Sequence, residues 1–525
     1  MIKPIINPEH INCFFTDNSH LILKKMQNKS QQTAVLTSDD FIANAAVKQC
    51  ILDLKAAFTP DGKGLIISDV LDENGNQYVN LVQKGGGVLG MALVGYTYVL
   101  EQMGIRFIRL AGTSAGAINT ALMTVIGNKH EPKSIGILDA ICKLDFFKLV
   151  DGHPAAQWVI KKFITNENFT EKLKKWIITF LSIFVILFLG NIIFLGLQHT
   201  FPRVAVLTKI FFVLSGISVT MLVLICYYIS TLLQKLKNAG YGINPGDYFY
   251  DWIKEQLLAN GVKTVTDLNN KAAGQIPGLH LRVPNAANLE GLKGDVTFIT
   301  SELVTQNKIQ FPEMWNLFKK NADDLQPAGF IRASMSIPIF FESYFINDIP
   351  CTDDAIKKQW MDKFGLDDPP STARFVDGGI LSNFPINLFY NSKVTIPRLP
   401  SFGIDLDDSI PDNNANHAEG WSLMGYFGRM FNTIRDYYDK DFLLKNKVYK
   451  KGIGIIHLSE YNWLNFFLTP QNKIDMFVKG ALAAKEFLIK FDWEDYKDSR
   501  NEMSRDLVKN LPDTVVQNHN ISVTV

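Results

Sequence analysis

The chain has 525 residues, of which 47% are hydrophobic and 20% charged, so it has material for the cores of two or three domains. Its 53 Lys and Arg residues balance its 52 Asp and Glu residues, and this balance excludes a general attraction to nucleic acid. The five cysteines are scattered and form no CxxC pair, which argues against a disulfide framework and a thiolate zinc site. The N-terminal sequence MIKPIINPEHINCFF lacks the continuous apolar segment of a secretory signal peptide.

The first clear pattern follows a weakly patterned N-terminal extension, residues 1–75, in which a helix is expected near Asp39–Phe58. The strand YVNLVQK is followed by the glycine-rich loop GGGVLG and the helical sequence MALVGYTYVLEQMG. A second strand, RFIRLAG, leads into the turn GTSAG and another helix, AINTALMTVIG. This alternation predicts an α/β fold in which helices pack on a parallel sheet.

Two apolar segments in the middle of the chain predict a membrane hairpin. No Asp, Glu, Lys or Arg occurs in 176–202, and a second apolar run fills 210–233, so each segment is long enough to cross a hydrocarbon core. The short turn between them returns the chain to its starting side. By the positive-inside rule both flanks are cytoplasmic, because they carry Lys172, Lys174, Lys175, Lys235 and Lys237. Two alternatives stay open: a pair of buried core helices, and a hairpin that enters only one leaflet.

Beyond the hairpin, three sequences predict further strands: DVTFITSEL, RFVDGG and SFGIDLDD. From about residue 419 onward the pattern is mostly helical, with one more strand in GIGIIHLS. We therefore expect an extension at 1–75, an α/β domain at 76–172 and 238–410, a hairpin insertion at 173–237, and a helical C-terminal part at 411–525.

The turn GTSAG, Gly112–Gly116, fits the nucleophile-elbow pattern GxSxG. A serine between a strand and a helix needs small neighbours, because the sharp turn strains its backbone. The helix that follows points its N-terminus at the site, where it favours developing negative charge. Ser114 is therefore the candidate nucleophile, and the alternative is an ordinary tight turn.

The loop GGGVLG, Gly85–Gly90, also ends a strand and opens a helix. Its backbone N–H groups could stabilise the oxyanion of a tetrahedral intermediate. Gly85, Gly87 and Gly90 also satisfy GxGxxG, the dinucleotide-binding pattern. That pattern expects a carboxylate at the end of the second strand, where this chain has LAGTSAG instead. A purely structural glycine turn is the third alternative.

Asp377 ends the apolar strand RFVDGG, and two glycines follow it. A carboxylate in this position could accept the proton of a serine hydroxyl if its surroundings adjust its pKa. The alternative is an aspartate that caps a turn, which is a common role before glycine.

These three features, in this order, resemble the patatin-like phospholipase family. RASMSIPIFF, Arg332–Phe341, is similar to the family's segment before its DGG strand, and DGGILSNFP, Asp377–Pro385, matches its DGG block. The likeness covers about 78–142 and 294–407, with a weaker helical tail around 472–487.

The resemblance implies a three-layer α/β/α fold with a central, mostly parallel sheet, here interrupted by the two-helix transmembrane hairpin. It implies a catalytic dyad of Ser114 and Asp377, with no metal and no cofactor. It also implies an oxyanion hole and a set of turn glycines: Gly85, Gly86, Gly87 and Ala115 for the oxyanion, and Gly112, Gly116, Gly378 and Gly379 for the turns. Leu89 departs from the family, because many members carry Arg or Lys there, so a positive charge near the oxyanion is expected to be missing.

We therefore expect a membrane-anchored serine acyl hydrolase of the phospholipase A or lysophospholipase type. Its substrate would be a membrane lipid, its bilayer contact would be through 176–233, and it would have no nucleic-acid partner. Two alternatives stay open. An α/β-hydrolase triad would use Ser114, Asp377 and either His417 or His457 in that chain order. A non-catalytic lipid-binding scaffold would keep the pocket without the chemistry.

Overall fold

The structure, a computed structural model, describes residues 36–58, 64–154, 157, 169–197, 200–238, 240–283, 289, 291–391, 394, 396–408, 433, 437 and 439–509. His417 and part of the N-terminal extension lie outside these residues. The chain divides into two compact units: unit 1 comprises 1–147, 249–335 and 344–525, and unit 2 comprises 148–248 and 336–343. The domain boundaries expected from the sequence stay a prediction.

Twelve strands occur in the described residues: β1 Val70–Leu71, β2 Gln77–Gln83, β3 Ile105–Thr113, β4 Gly242–Asn244, β5 His280–Leu281, β6 Asp295–Glu302, β7 Asn307–Phe311, β8 Ile339–Phe341, β9 Tyr344–Ile346, β10 Ala373–Asp377, β11 Ser401–Asp407 and β12 Ile453–His457. Every strand predicted from the sequence is among them. Ten form one sheet in unit 1, with the order β12-β11-β2-β3-β6-β10-β9 and with β1, β5 and β7 beside this path.

The sheet is mixed, so the expectation of a mostly parallel sheet was wrong in part. The four pairings from β12 to β6 are parallel, whereas β10 runs antiparallel to both β6 and β9, and β7 runs antiparallel to β6. Parallel neighbours need a long crossover, while β6 and β7 are joined by the short turn 303–306. The region expected from strand–helix alternation is therefore the parallel centre of the sheet.

The helices of the described residues are α1 Ser38–Ile42, α2 Ala45–Phe58, α3 Gly90–Gln102, α4 Ala115–Val125, α5 Ser134–Cys142, α6 Phe169–Leu197, α7 Ala205–Asn238, α8 Asp247–Ala259, α9 Val265–Ala272, α10 Pro327–Ser334, α11 Asp354–Phe364, α12 Val448–Lys451, α13 Pro470–Lys490 and α14 Trp493–Lys509. Short 3₁₀ turns complete the chain between them. The helix expected near Asp39–Phe58 is present as α1 and α2.

Helix α3, which connects β2 to β3, is buried from Met91 to Glu101 and packs closely against α13. Two glycines permit the close contact. A Cβ at Gly95 would lie 2.0 Å from the carbonyl oxygen of Phe477, and a Cβ at Gly480 would lie 1.9 Å from that of Ala92. The C-terminal helical part therefore contributes directly to the core of unit 1.

Unit 2 contains the helical hairpin and a two-stranded parallel sheet of β4 and β8. The apolar spans Lys174–Leu197 and Ala205–Lys237 are each long and apolar enough to cross a membrane, and neither is buried within the structure. The two helices contact each other through Asn191, whose Nδ2 donates to Ser215 Oγ and, at 3.2 Å, to the carbonyl oxygen of Phe211. The prediction of two adjacent long apolar helices is confirmed.

Candidate active site

Ser114 lies in a strained turn between β3 and α4. Its φ of 53° and ψ of −120° fall in a region that residues other than glycine rarely occupy. Close packing explains the small residues around it. A Cβ at Gly112 would lie 2.3 Å from the carbonyl oxygen of Gly116, and a Cβ at Gly116 would lie 2.3 Å from that of Gln83. The turn GTSAG therefore has the geometry that an elbow requires.

A second serine fixes the orientation of this turn. The backbone N–H of Ser114 donates to Ser334 Oγ at 3.0 Å, and Ser334 Oγ donates to the carbonyl oxygen of Ile299 at 2.6 Å. Ser334 was not singled out from the sequence, although it lies within RASMSIPIFF. Nothing in the neighbouring sequence indicates its partners, which only the structure identifies.

The sheet register brings Asp377 to the level of Ser114. Thr113 at the end of β3 is paired with Ile299 on β6, and the next β6 residue, Thr300, is paired with Asp377 at the end of β10. Since neighbouring strands lie about 4.8 Å apart, β3 and β10 are close enough for side chains to meet across β6. The register of β10 against β6 therefore places the carboxylate at this level.

The Ser114 hydroxyl donates to Asp377 Oδ2 at 2.6 Å. The other carboxylate oxygen, Oδ1, accepts from the backbone N–H of Gly379 at 2.7 Å. Both side chains are nearly buried, with exposures of 4% for Ser114 and 7% for Asp377. A short hydrogen bond to a carboxylate at low dielectric is strong, so the pair is held in a defined geometry.

The DGG turn needs both of its glycines. A Cβ at Gly378 would lie 2.2 Å from the carbonyl oxygen of Ile299, and a Cβ at Gly379 would lie 2.9 Å from Asp377 Oδ1. A side chain at either position would therefore displace the carboxylate or the strand beside it.

The glycine-rich loop lies beside the elbow, since a Cβ at Gly85 would come within 3.0 Å of Ser114 Cβ. The Gly85 N–H donates to the carbonyl oxygen of Asn383 at 3.0 Å, so it is already occupied. Among the hydrogen bonds of the described residues, none uses the N–H of Gly86, Gly87 or Ala115. These three groups, unlike Gly85, are available to an oxyanion.

The missing charge at Leu89 is not replaced by the neighbouring lysine. Leu89 is fully buried. Lys84, which precedes the glycine loop, pairs with Asp405 at 2.7 Å, and both side chains are largely buried. Neither Leu89 nor Lys84 therefore offers an unpaired positive charge beside the glycine loop.

His457 lies away from the serine and the aspartate. It ends β12, which is separated from β3 by β11 and β2. Its Nδ1 contacts Asp407 Oδ2 at 2.9 Å, and its side chain is 76% exposed. The structure therefore does not bring His457 together with Ser114 and Asp377.

Fold and site together define an α/β protein with a strained serine turn at the end of its central strand. The family model for the patatin-like phospholipase matches residues 81–191 and 230–390, more than half of the chain. The chain therefore belongs to the patatin-like phospholipase family. Membership in this family implies that the substrate is a lipid and that the activity is hydrolysis of a lipid acyl ester. The unmatched stretch 192–229 falls within the hairpin of α6 and α7.

Three individual proteins are similar to the chain at low sequence identity. The uncharacterized protein YqhO of Bacillus subtilis (strain 168) is 26% identical over 414 residues, which cover 78% of this chain and 98% of YqhO. VipD from Legionella pneumophila has a TM-score of 0.33 at 15% identity, covering 83% of this chain and 73% of its own. The type III effector ExoU has a TM-score of 0.27 at 15% identity, covering 84% of this chain and 58% of its own. Neither TM-score is high enough to show a shared fold.

Proposed function

We propose that the protein is a membrane-anchored lipid acyl hydrolase, of the phospholipase A or lysophospholipase type, that works through a dyad of Ser114 and Asp377. The observation that carries the proposal is the 2.6 Å hydrogen bond from the serine hydroxyl to the carboxylate. Because it joins the two groups directly, the carboxylate can accept the proton without an intervening imidazole.

In the first half-reaction, Ser114 Oγ attacks the acyl carbonyl carbon while its proton passes to Asp377. The N–H groups of Gly86, Gly87 and Ala115 stabilise the oxyanion that forms. Collapse of this intermediate breaks the ester bond, and the departing alcohol takes the proton from Asp377. Water then attacks the acyl-serine, gives a proton to Asp377, and releases the fatty acid as Ser114 recovers its proton.

The hairpin supplies the anchor in this proposal. Ser114 precedes α6 in the chain and Asp377 follows α7, yet the two side chains are in contact. An even number of crossings satisfies this requirement, because both flanks then emerge on one side of the bilayer. The lysines flanking the hairpin favour the cytoplasmic side.

A Ser–Asp–His triad is the second candidate mechanism. The exposure of His457 and its contact with Asp407 argue against that residue as the third member. The buried, hydrogen-bonded pair of Ser114 and Asp377 argues against a non-catalytic scaffold, because a lipid-binding pocket does not need a polar pair of this kind.

Labelling with a fluorophosphonate in detergent, together with turnover of a short-chain ester, tests the proposal. We expect Ser114→Ala to abolish labelling and turnover, and Asp377→Asn to lower turnover by orders of magnitude. His457→Ala is the matched control and should behave as the wild type. Only a few-fold loss from Ser114→Ala, or a large loss from His457→Ala with a mild one from Asp377→Asn, would refute the dyad.

A further inference from the structure

The three residues 382–384, just after the DGG turn, are hydrogen-bonded to the nucleophile strand, the glycine loop and the DGG turn. The hydroxyl of Thr113, next to the nucleophile, donates to the carbonyl oxygen of Ser382 at 3.0 Å. The N–H of Gly85 donates to the carbonyl oxygen of Asn383 at 3.0 Å. The N–H of Ser382 donates to the carbonyl oxygen of Gly378 at 2.9 Å. This segment, the joint, therefore connects the nucleophile strand, the glycine loop and the base turn.

The side chain of Asn383 strengthens this connection. Its Nδ2 donates to the carbonyl oxygen of Gly85 at 3.4 Å, so Gly85 and Asn383 are bonded in both directions. Its Oδ1 occupies the space that a Cβ at Gly85 or Gly379 would enter, at 2.5 and 2.7 Å respectively. A shift of the joint would therefore move the glycine loop relative to Asp377.

Asp439 holds the joint from a distant part of the chain. Its Oδ1 accepts from the hydroxyl of Ser382 at 2.9 Å, and its Oδ2 accepts from the backbone N–H of Phe384 at 2.8 Å. Asp439 lies in a helical segment, 439–445, and is only 7% exposed. One carboxylate thus accepts hydrogen bonds from both ends of the joint, Ser382 and Phe384, and Asn383 lies between them.

A buried carboxylate is costly unless its oxygens are hydrogen-bonded, and bonds to an ionised acceptor are stronger than neutral ones. Burial lowers the pKa of Lys308, and the charge of Asp439 opposes that shift, so the two groups are close enough to interact. These features explain why a carboxylate, rather than a neutral residue, can occupy this position.

We infer that Asp439 is a positioning residue, which holds the oxyanion loop and the catalytic base in register with Ser114 through the joint. The inference rests on the proposed dyad. It adds a residue that never contacts the substrate, and that acts on the rate of the chemical step rather than on substrate binding.

The test compares Asp439→Asn with Asp441→Asn in the full-length protein. The asparagine side chain places an NH₂ group opposite one of the two donors, the Ser382 hydroxyl or the Phe384 N–H, so one of the two hydrogen bonds is lost. We expect kcat to fall by about tenfold to a hundredfold with KM nearly unchanged, and the melting temperature to fall by a few degrees because a buried donor loses its partner. Asp441, two residues on, pairs with Lys445 on the surface and is the matched control. Fluorophosphonate labelling of Ser114 should slow in parallel with kcat.

Ser382→Ala keeps the experiment decisive if Asp439→Asn melts early. This substitution removes only the hydroxyl bond to Asp439, so we expect a smaller drop in kcat at an unchanged melting temperature. Adding Ser382→Ala to Asp439→Asn should lower kcat no further through this bond. Wild-type kcat in folded Ser382→Ala and Asp439→Asn would overturn the inference. Labelling of the wild type but not of Ser114→Ala is scored separately, so failure of the dyad itself remains distinguishable.

Discussion

The two ends of the parallel strands are built in opposite ways. At the carboxyl ends, the candidate site consists of glycine turns, one serine and one carboxylate, fixed mainly by backbone conformation. At the amino ends, a cluster of charged groups surrounds the start of β3 and β6, including Arg106, Lys133 and Asp295. The first arrangement is the one that we propose acts on an ester, whereas the second contacts the ends of helices.

Several groups of the charged cluster have pKa values shifted by burial. Burial lowers the pKa of both Lys129 and Lys133 to about 8, and burial raises the pKa of Glu101. The lysines donate to the carbonyl oxygens of Ala272 and Ile126, at the C-terminal ends of α9 and α4. Cations are favoured there by the helix dipole. Shifted pKa values therefore also occur in a cluster that stabilises helix ends, so a shifted pKa alone does not identify a functional site.

The largest effect is expected from adding one methyl group to the glycine loop. Gly87 has a φ of +55°, and a Cβ there would lie 2.2 Å from the carbonyl oxygen of Trp463. Gly87→Ala should therefore displace the loop and its N–H donors, and lower kcat by about 100- to 1000-fold.

Gly86→Ala is the comparison variant. A Cβ at Gly86 would meet only the end of the Leu406 side chain, at 2.6 Å, and its φ of −171° suits any residue. Its loss should be much smaller, measured as initial rates on a soluble ester after the fold is checked by circular dichroism. Equal rates for the two folded variants would remove this loop from the oxyanion role.

A second test removes the hairpin and leaves the sheet intact. All the candidate site residues belong to unit 1, whereas 176–233 belong to unit 2. Replacing 176–233 by a flexible linker should therefore retain hydrolysis of short soluble esters. Hydrolysis of lipid in vesicles should fall by about a hundredfold, because the enzyme is no longer concentrated at the bilayer. Parallel losses on both substrates would contradict the anchoring role of the hairpin.

The sequence was most informative where chemistry requires a local motif. Ser114 and Asp377 each lie in a short pattern of glycines that packing and strain demand, so they could be identified one at a time. Asp439 could not, because its contacts with the joint depend on the path of the chain across 55 residues and more, and nothing in its neighbours signals that path.

The antiparallel direction of β10 also could not be predicted from the sequence. Strand patterns reveal which residues face a core, but they do not give the direction in which the next strand enters the sheet. The close packing of Gly95 and Gly480 depends in the same way on two helices far apart in the chain. The strand direction and the helix contact both depend on pairing between distant parts of the chain, which local periodicity does not indicate.

The smallest effect should come from the charged end of the strands, through Lys133→Met. Lys133 is 5% exposed, and burial lowers its pKa from 10.5 to about 8. Between these values the unfolded chain binds a proton that the folded protein does not, so Lys133 makes the free energy of unfolding rise with pH in this window. Methionine removes this contribution. The stability of the variant relative to the wild type should therefore be greatest at pH 7.5 and should decline by about 1 to 3 kcal/mol by pH 10.

Denaturant unfolding in detergent at several pH values measures this difference, with the exposed Lys263→Met as the control. Fluorophosphonate labelling of Lys133→Met should proceed at the wild-type rate, because the ammonium lies at the opposite end of β3 from Ser114. The unfolding stability and the labelling rate together show whether the two ends of the parallel strands act independently. A pH-independent stability difference would mean that Lys133 is not held near a pKa of about 8. A large loss of labelling in a folded variant would mean that the charged end also serves the chemistry, and the contrast between the two ends would no longer hold.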